Sequence, residues 1–327
     1  MPDISFLVAA FNAEQTLEAA VISALAQQNV TVEVIVVDDM SRDGTLACAT
    51  TLARNEPRIT VLAQESNRGP SAARNRALAA ARGDWVAILD ADDYIAPERS
   101  ERLIALANDH SSQIVADNMM HFRDGEPEVT WPFLPGQDGD PPFTVGLADY
   151  LDRNRMTSGD ATLGYLKPMF RRDFLSANGI VYDEELRVGE DFNFALQALS
   201  AGARFTITPQ ALYSYRIMAG SLSRSLTASD LEQLLIANDR LLAEKLAEPR
   251  LREASAAYRR AAQDLTDYCA FRMAVRQGQW PSALRRATAP RLWGTLVQML
   301  LHAGRRGYVR RRATRLAVDR RRLVAAA

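Results

Sequence analysis

Three carboxylates fall within four residues at Asp90-Ala91-Asp92-Asp93, directly after the apolar run Trp85-Val86-Ala87-Ile88-Leu89. Like charges crowded at a strand end repel one another unless a cation relieves them. An oxygen-only ligand set suits Mg²⁺ or Mn²⁺ bridging a diphosphate; a solvated acidic turn is the alternative that the tetrad alone leaves open. Asp38 and Asp39 stand at the end of Val36-Val37 and lead into Met40-Ser41-Arg42-Asp43-Gly44-Thr45. Carboxylates there accept hydrogen bonds from a nucleobase imide or a ribose; equally, Asp43 caps the next helix and the pair merely ends a strand. The stretch Asn67-Arg68-Gly69-Pro70-Ser71-Ala72-Ala73-Arg74-Asn75-Arg76 turns at Gly-Pro into a helix. Its N-terminus and Arg74 suit an anionic phosphate, and Asn75 suits a tie between loops, although an ordinary surface helix reads the same way. In Gly189-Glu190-Asp191-Phe192 two acids open a helix, where they complement the dipole as readily as they accept a proton.

These residues must be positioned by something, and the first third of the chain supplies it. Short β-branched runs at Ile4–Val8, Val32–Val37, Ile59–Leu62, Trp85–Leu89 and Gln113–Ala116 alternate with amphipathic stretches at Glu14–Gln28, Gly44–Asn55, Ser71–Arg82 and Pro97–Asn108. Such alternation predicts βαβ units and a mostly parallel sheet flanked by helices, a Rossmann-like α/β fold. Ligands of open sheets bind beyond the carboxyl ends of the strands. The polar clusters lie there: Phe11-Asn12, Asp38-Asp39, Glu65-Ser66-Asn67 and the Asp90 tetrad. Residues Phe122–Pro142, rich in Pro, Gly and Asp, read as a long loop of the kind that forms active-site flaps. A second ordered portion, Leu163–Tyr215, predicts a helix at Glu190–Ala201 and a strand at Arg204–Thr208. Beyond Ser229 the leucine spacing is helical throughout, through Leu231, Leu234, Leu235, Leu241, Leu242 and Leu246. The expected division is a catalytic domain over 1–222, with halves 1–118 and 119–222, and a helical region with a basic tail over 223–327.

Composition bounds the class. The 327 residues carry 39 Lys and Arg against 40 Asp and Glu, so no overall charge marks a nucleic-acid binder. Cys48 and Cys269 lack both disulfide-framework and metal-ligand spacing, which fits a reducing, cytoplasmic setting. No basic segment followed by an apolar core opens the sequence, and no stretch reaches the roughly 18 to 20 apolar residues of a membrane span; Leu292–Leu301 is too short. A soluble or peripheral protein is expected.

Taken together, the stretches resemble the family 2 glycosyltransferases over roughly residues 3–225. Ala9-Ala10-Phe11-Asn12-Ala13-Glu14 is similar to the family's opening nucleotide-binding turn, and Val37 through Thr45 to its base-binding strand end. Asn67-Arg68-Gly69 through Arg74-Asn75 resembles its third motif, Asp90-Ala91-Asp92-Asp93 its metal-binding signature, and Glu190-Asp191 its general-base motif. Leu163–Phe170 and Tyr215-Arg216-Ile217-Met218 look like members that assemble bacterial exopolysaccharides. The resemblance implies a GT-A fold with a C-terminal helical appendage and an inverting, metal-dependent transfer from a nucleotide-diphosphate sugar, a UDP-sugar foremost. The acceptor it implies is a glycan or a lipid-linked glycan. It assigns Asp39 and Glu14 to the base or ribose, Asp90 to the nucleoside, Asp92 to the metal and Asp191 to the general base; Glu190 is the alternative holder of an acceptor hydroxyl. Two departures stand out: Ala9 replaces a common proline, and Met218 stands where many relatives carry a histidine near the diphosphate. A nucleotidyltransferase would want a glycine-rich loop after the first strand, and a dehydrogenase its dinucleotide fingerprint; Ala9–Glu14 contains no glycine. The non-enzymatic rival is a degenerate GT-A scaffold or binding protein, against which the metal ligand and base both stand.

The end of the chain is arginine-rich, from Arg305-Arg306 to Arg320-Arg321-Arg322. As one helix it gathers Val309, Ala313, Leu316, Leu323 and Val324 near one side, the composition of a helix lying on an anionic membrane surface. The alternative is a solvated terminal helix whose arginines pair with acids of the catalytic domain.

Overall fold

The protein is described by a computed structural model over residues 1–136, 139–156, 161–217, 226–289, 291–298, 300–301 and 304, with side chains omitted at 127 and 128. Strands β1 (Ile4–Ala10) and β2 (Val32–Asp38) are buried along almost their whole length. A strand covered on both faces loses the in-out alternation and belongs at the centre of a parallel sheet. β1 accordingly pairs in parallel with β2 on one side and with β4 (Trp85–Ile88) on the other, while β2 pairs with β3 (Ile59–Ala63). Helices α1 (Leu17–Leu25), α2 (Thr45–Asn55) and α3 (Pro70–Ala80) make the crossovers, and α4 (Arg99–His110) follows the two-residue strand β5 (Tyr94–Ile95).

Beyond β4 the sheet turns antiparallel. Its order is β3-β2-β1-β4-β9-β6-β10-β5, where β6 is Ile114–Arg123, β9 Met169–Arg171 and β10 Phe205–Ile217. β7 (Glu126–Pro132) pairs with β6, and β8 (Phe143–Val145) with β10. The expected loop at 122–142 is therefore corrected: its Pro and Gly bound a strand, and hairpin pairing supplies what composition conceals. The strands expected at 113–116 and 204–208 both run several residues further, because neighbours in the sheet satisfy backbone groups that polar side chains had made look like loop.

Two compact sets of residues emerge. The first comprises 1–121, 132–146 and 165–216, and holds most of the sheet with α1–α4, α6 (Arg172–Ala177) and α7 (Glu190–Ser200). The second comprises the described residues of 122–131, 147–164 and 217–304. It contains α5 (Leu147–Arg153), α8 (Ala228–Leu242), α9 (Pro249–Arg276) and α10 (Trp280–Ala287). In this second set Leu231, Leu265 and Cys269 form a small core against Met156, Leu226 and Tyr268. Thr227 and Asp230 close a capping box at the start of α8. The expected boundary at 222, Met218 and the arginine-rich tail from 305 lie outside the described residues. Among the described residues, no helix is long and apolar enough to cross a membrane.

Candidate active site

Pairing Ala10 with Asp38 brings the carboxyl ends of β1 and β2 side by side, and the Asp39 amide donates to the Ala10 carbonyl. Ala9 lies within β1 opposite Val37, and Phe11 emerges just past it, 47 % exposed. The next residues are laced to the loop after β2. The Asn12 amide donates to Ser41 Oγ (3.0 Å), its own side-chain carbonyl accepts from the Arg42 amide (2.9 Å), and the Ala13 amide donates to Thr45 Oγ1 (2.8 Å). Glu14 Oε2 accepts from the Gly44 amide (3.1 Å). A Cβ at position 44 would lie 2.4 Å from Glu14 Oε1, so the glycine leaves the space that this carboxylate fills.

The two acids after β2 have different fates. Asp39 accepts from Gln64 Nε2 (2.6 Å) and from the backbone amides of Arg68 (2.8 Å) and Gly69 (2.8 Å). Asn67 donates to its carbonyl. Asp39 thus fastens the turn into α3, which needs Gly69 because its φ of 86° is costly for any side chain. Asp38 is buried; one oxygen accepts from the Ser41 amide while Oδ1 has no hydrogen-bond partner among the described residues. Buried orphan oxygens are rare enough to require a reason, and an unmet donor from a ligand is one.

At the centre of the site, Arg74 and Lys167 face three acids. Arg74 Nη2 donates to Asp90 Oδ1 (2.9 Å), and Nη1 reaches Glu190 Oε1 (2.8 Å) and Asp191 Oδ1 (3.2 Å). Lys167 Nζ lies 2.8 Å from Asp90 Oδ2 and 2.9 Å from Asp191 Oδ2. Both cations are nearly buried, with side chains 6 % and 8 % exposed. Burial opposes ionisation of Asp90, yet Lys167 and Arg74 outweigh it and hold that carboxyl at about 2. Burial likewise opposes the charge on Lys167 and Arg74, and Asp191 and Asp90 overcome it, keeping both protonated well above their usual range. Glu190 behaves oppositely: burial, then repulsion from Asp191, raises it against the pull of Arg74.

Asp191 owes its place to α7, whose first turn it shares with Glu190. The Tyr182 hydroxyl approaches its Oδ1 at 3.3 Å. The Tyr182 ring stacks on Phe194 (centroids 4.2 Å, planes 2° apart), and the Arg74 guanidinium lies 5.5 Å from its centre. Asn75 binds the Tyr182 backbone at both its amide and carbonyl, tying α3 to the segment before α7 at two points.

Asp90, Asp92 and Asp93 offer carboxylate oxygens within 4.8 Å of one another, a hard donor set that fits Mg²⁺ or Mn²⁺. Their surroundings differ. Asp90 is taken by Arg74 and Lys167, whereas Asp93 accepts from Tyr213 Oη (2.8 Å) and the Arg216 amide (2.7 Å). The same tyrosine hydroxyl accepts from the Asp90 amide, and Arg216 Nε donates to the Asp92 carbonyl. Among the described residues, no side chain bonds the Asp92 carboxylate, and burial followed by repulsion from Asp90 raises it to about 6. A cation would relieve that penalty. Ala91, buried between the acids, presents only backbone.

The structure thus gathers Asp90, Glu190 and Asp191 around Arg74 and Lys167, and keeps Asp38, Asp39, Asn12, Glu14 and Asn67 in a separate lacework at the ends of β1 and β2. The Arg74 guanidinium pairs with three carboxylates, the nearest countercharges in a buried setting. Lys167, Tyr182, Tyr213 and Arg216 carry no role in the sequence reading. The signal for Lys167 was its position in the apolar stretch Leu163–Phe170, since lysine is almost never buried unless paired.

Behind this network, fully buried Arg99 bridges α4 to β6. Its Nε donates to Asp117 Oδ1 (2.9 Å) and Nη2 to the Lys167 carbonyl (2.5 Å), while Asp117 Oδ2 accepts from the Leu212 amide.

The profile described as Glycosyl transferase family 2 matches residues 5–174. The succinoglycan biosynthesis protein ExoO of Rhizobium meliloti (strain 1021) is 38 % identical over 248 residues, spanning 74 % of this chain and 68 % of that protein. ExoU of the same strain, also a succinoglycan biosynthesis protein, is 34 % identical over 74 % and 70 %. In three dimensions the chain is similar to S. aureus TarS 1–349 in complex with UDP-GlcNAc (TM-score 0.58, 22 % identity, 86 % of this chain and 89 % of that one). It is also similar to the mannosyltransferase PcManGT of Pyrobaculum calidifontis in complex with GDP-Man and Mn²⁺ (TM-score 0.53, 18 % identity, 93 % and 86 %).

Proposed function

The chain belongs to glycosyl transferase family 2 and has the GT-A fold, and from that premise we propose that it moves one sugar from a nucleoside diphosphate sugar to an acceptor hydroxyl with inversion. A UDP-sugar is the donor of first choice, given the UDP-GlcNAc in the TarS complex. The acceptor is a glycan or lipid-linked glycan of a bacterial surface or exopolysaccharide, in keeping with the succinoglycan proteins it is similar to. A lipid-linked acceptor would place the work at a membrane surface.

The observation that carries this reading is the pair Asp90 and Asp191 held by common cations beside Asp92. Asp191 takes the role of base. As the acceptor oxygen attacks the anomeric carbon in line, the new C–O bond forms, the bond from that carbon to the diphosphate breaks, and the hydroxyl proton passes to an Asp191 oxygen. Lys167 and Arg74 hold Asp191 aimed beforehand, and Tyr182 fixes its rotation. Asp92, with Asp90 and Asp93 near it, is the residue that would hold Mn²⁺ or Mg²⁺; the bound ion supplies charge neutralisation for a departing diphosphate. Asp38, with its unpartnered oxygen, and the Asn12–Glu14 turn provide the nucleoside end. Asp39 acts through the loop it fastens. Glu190, drawn to Arg74, supports the cluster and lies close enough to Asp191 to receive an acceptor hydroxyl.

The test is thermal melting against a panel of nucleoside diphosphate sugars with Mn²⁺, followed by hydrolysis of whichever stabilises the protein. One donor should raise the melting temperature and be slowly hydrolysed. A panel without effect on either readout would overturn the assignment, and binding without hydrolysis or transfer would favour a degenerate scaffold.

A further inference from the structure

The last helices use one apolar face for packing and leave another uncovered. α10 buries Ala283, and the helical residues 291–298 bury Leu292 and Thr295. Four residues apart on α10, Trp280 (60 % exposed) and Leu284 (66 %) point to solvent. On the following stretch Trp293, Val297, Leu300 and Leu301 recur at helical spacing and are all more than half exposed, Leu300 at 71 %. Trp293 Nε1 donates to the Ala287 carbonyl at 2.9 Å, which ties the second stretch to the end of α10 while its ring stays outside. Large apolar side chains scattered singly on a surface are ordinary; six within 22 residues are not.

Charge says what covers them. Residues 280–327 hold twelve arginines, no lysine and one acid, Asp319, whereas residues 1–279 hold 27 Lys and Arg against 39 Asp and Glu. Arg285 and Arg291 are exposed beside the apolar residues, and Arg286 lies 3.8 Å from Asp267. A two-fold contact with a second copy would bring the exposed Arg285 and Arg291 of each copy toward those of the other. A bilayer with anionic headgroups offers the complement to both features, an apolar interior for Leu and Val, an interfacial zone that tryptophan prefers, and phosphate for arginine.

We propose that the face bearing Trp280, Leu284, Trp293, Val297, Leu300 and Leu301 docks onto an anionic lipid bilayer, lying in its surface without crossing it. This holds whatever the chemistry at Asp191, because none of these residues belongs to the catalytic network. The intact protein is mixed with vesicles of phosphatidylcholine, with and without phosphatidylglycerol, and sedimented; tryptophan emission is read with acyl-brominated lipid in the vesicles. Binding is expected to the anionic vesicles alone, with quenching by the bromines and release by salt. Val297→Gln/Leu300→Gln/Leu301→Gln should weaken partitioning by at least roughly tenfold, since each residue loses apolar burial, and should leave donor hydrolysis unchanged. Absence of binding at low salt, partitioning unchanged in the triple variant, or bound protein without quenching would each overturn the proposal. So would a vesicle-free dimer that the triple variant dissociates, which would make the face a contact between copies.

Discussion

Asp90 and Asp191 share one ammonium: Lys167 Nζ lies 2.8 Å from the first and 2.9 Å from the second. Arg74 repeats the bridge from its own side, so the end of β4 and the first turn of α7 are joined twice. A group that held only one of them would leave the presumed base free to turn away from the presumed metal cluster.

Replacing Lys167 by Met should therefore lower turnover by roughly 10²-fold or more, a loss comparable to that of a catalytic acid or base, through misorientation of Asp191. Donor affinity should fall less than turnover, because Asp92 and the nucleoside end are untouched. Steady-state kinetics on the purified variant separates the two, and parental turnover would contradict the positioning role.

Asp191→Asn keeps the shape but removes the proton acceptor, and its one carbonyl oxygen accepts from only one of the two cations that the carboxylate holds. Transfer should drop by about 10² to 10⁴-fold, with donor binding by calorimetry close to parental. Full transfer to a true acceptor in this variant would remove Asp191 from the mechanism.

Asp92 is raised to about 6 by burial and by Asp90, so in the metal-free protein a proton competes there with a cation. Mn²⁺ affinity should be complete above that value and decline by about tenfold per pH unit below it. Asp92→Ala should abolish metal-dependent binding of a nucleoside diphosphate, whereas Asp93→Ala, which loses contacts to Tyr213 and Arg216, should act chiefly on stability. Calorimetry with and without Mn²⁺ across roughly pH 5 to 8 reads both effects, and a flat affinity over that range would exclude Asp92 as the ligand.

Arg74→Met strands three acids around a single lysine. Breaking a buried ion cluster on one side costs about 3–5 kcal/mol, and urea denaturation should show a loss of that order. Arg74→Lys should recover little, because a point charge cannot span Asp90 and the Glu190-Asp191 pair as the guanidinium fork does. Wild-type stability in either variant would mean that the cluster is dispensable.

The parallel half of the sheet was legible because Ile4–Val8 and Val32–Val37 announce themselves as apolar β-branched runs, and the polar clusters after them mark the strand ends. Element boundaries within about two residues followed for α2, α3 and α7. The antiparallel half was legible only at the starts of β6 and β10. β5 has two residues, β8 and β9 three each, too short for any periodicity, and β7 hides among Pro, Gly and Asp. The five site segments were visible one by one, but their grouping was not. Nothing local to Arg74 says that it faces carboxylates, since its partners Asp90 and Glu190 come from other elements. Lys167 shows the same limit, its significance resting on two acids brought to it by the fold.

Position 44 couples two loops through empty space: a Cβ there would meet Glu14 Oε1 at 2.4 Å, and the Gly44 amide is the donor that holds the same carboxylate. A side chain at 44 would swing Glu14 outward and cost the Gly44–Glu14 bond, one of the several that tie the turn after β1 to the loop after β2. The two positions are therefore bound to covary as sequences diverge. Lineages that keep the acid at 14 should keep glycine at 44, and a shorter residue at 14 should be the condition under which 44 becomes free to change.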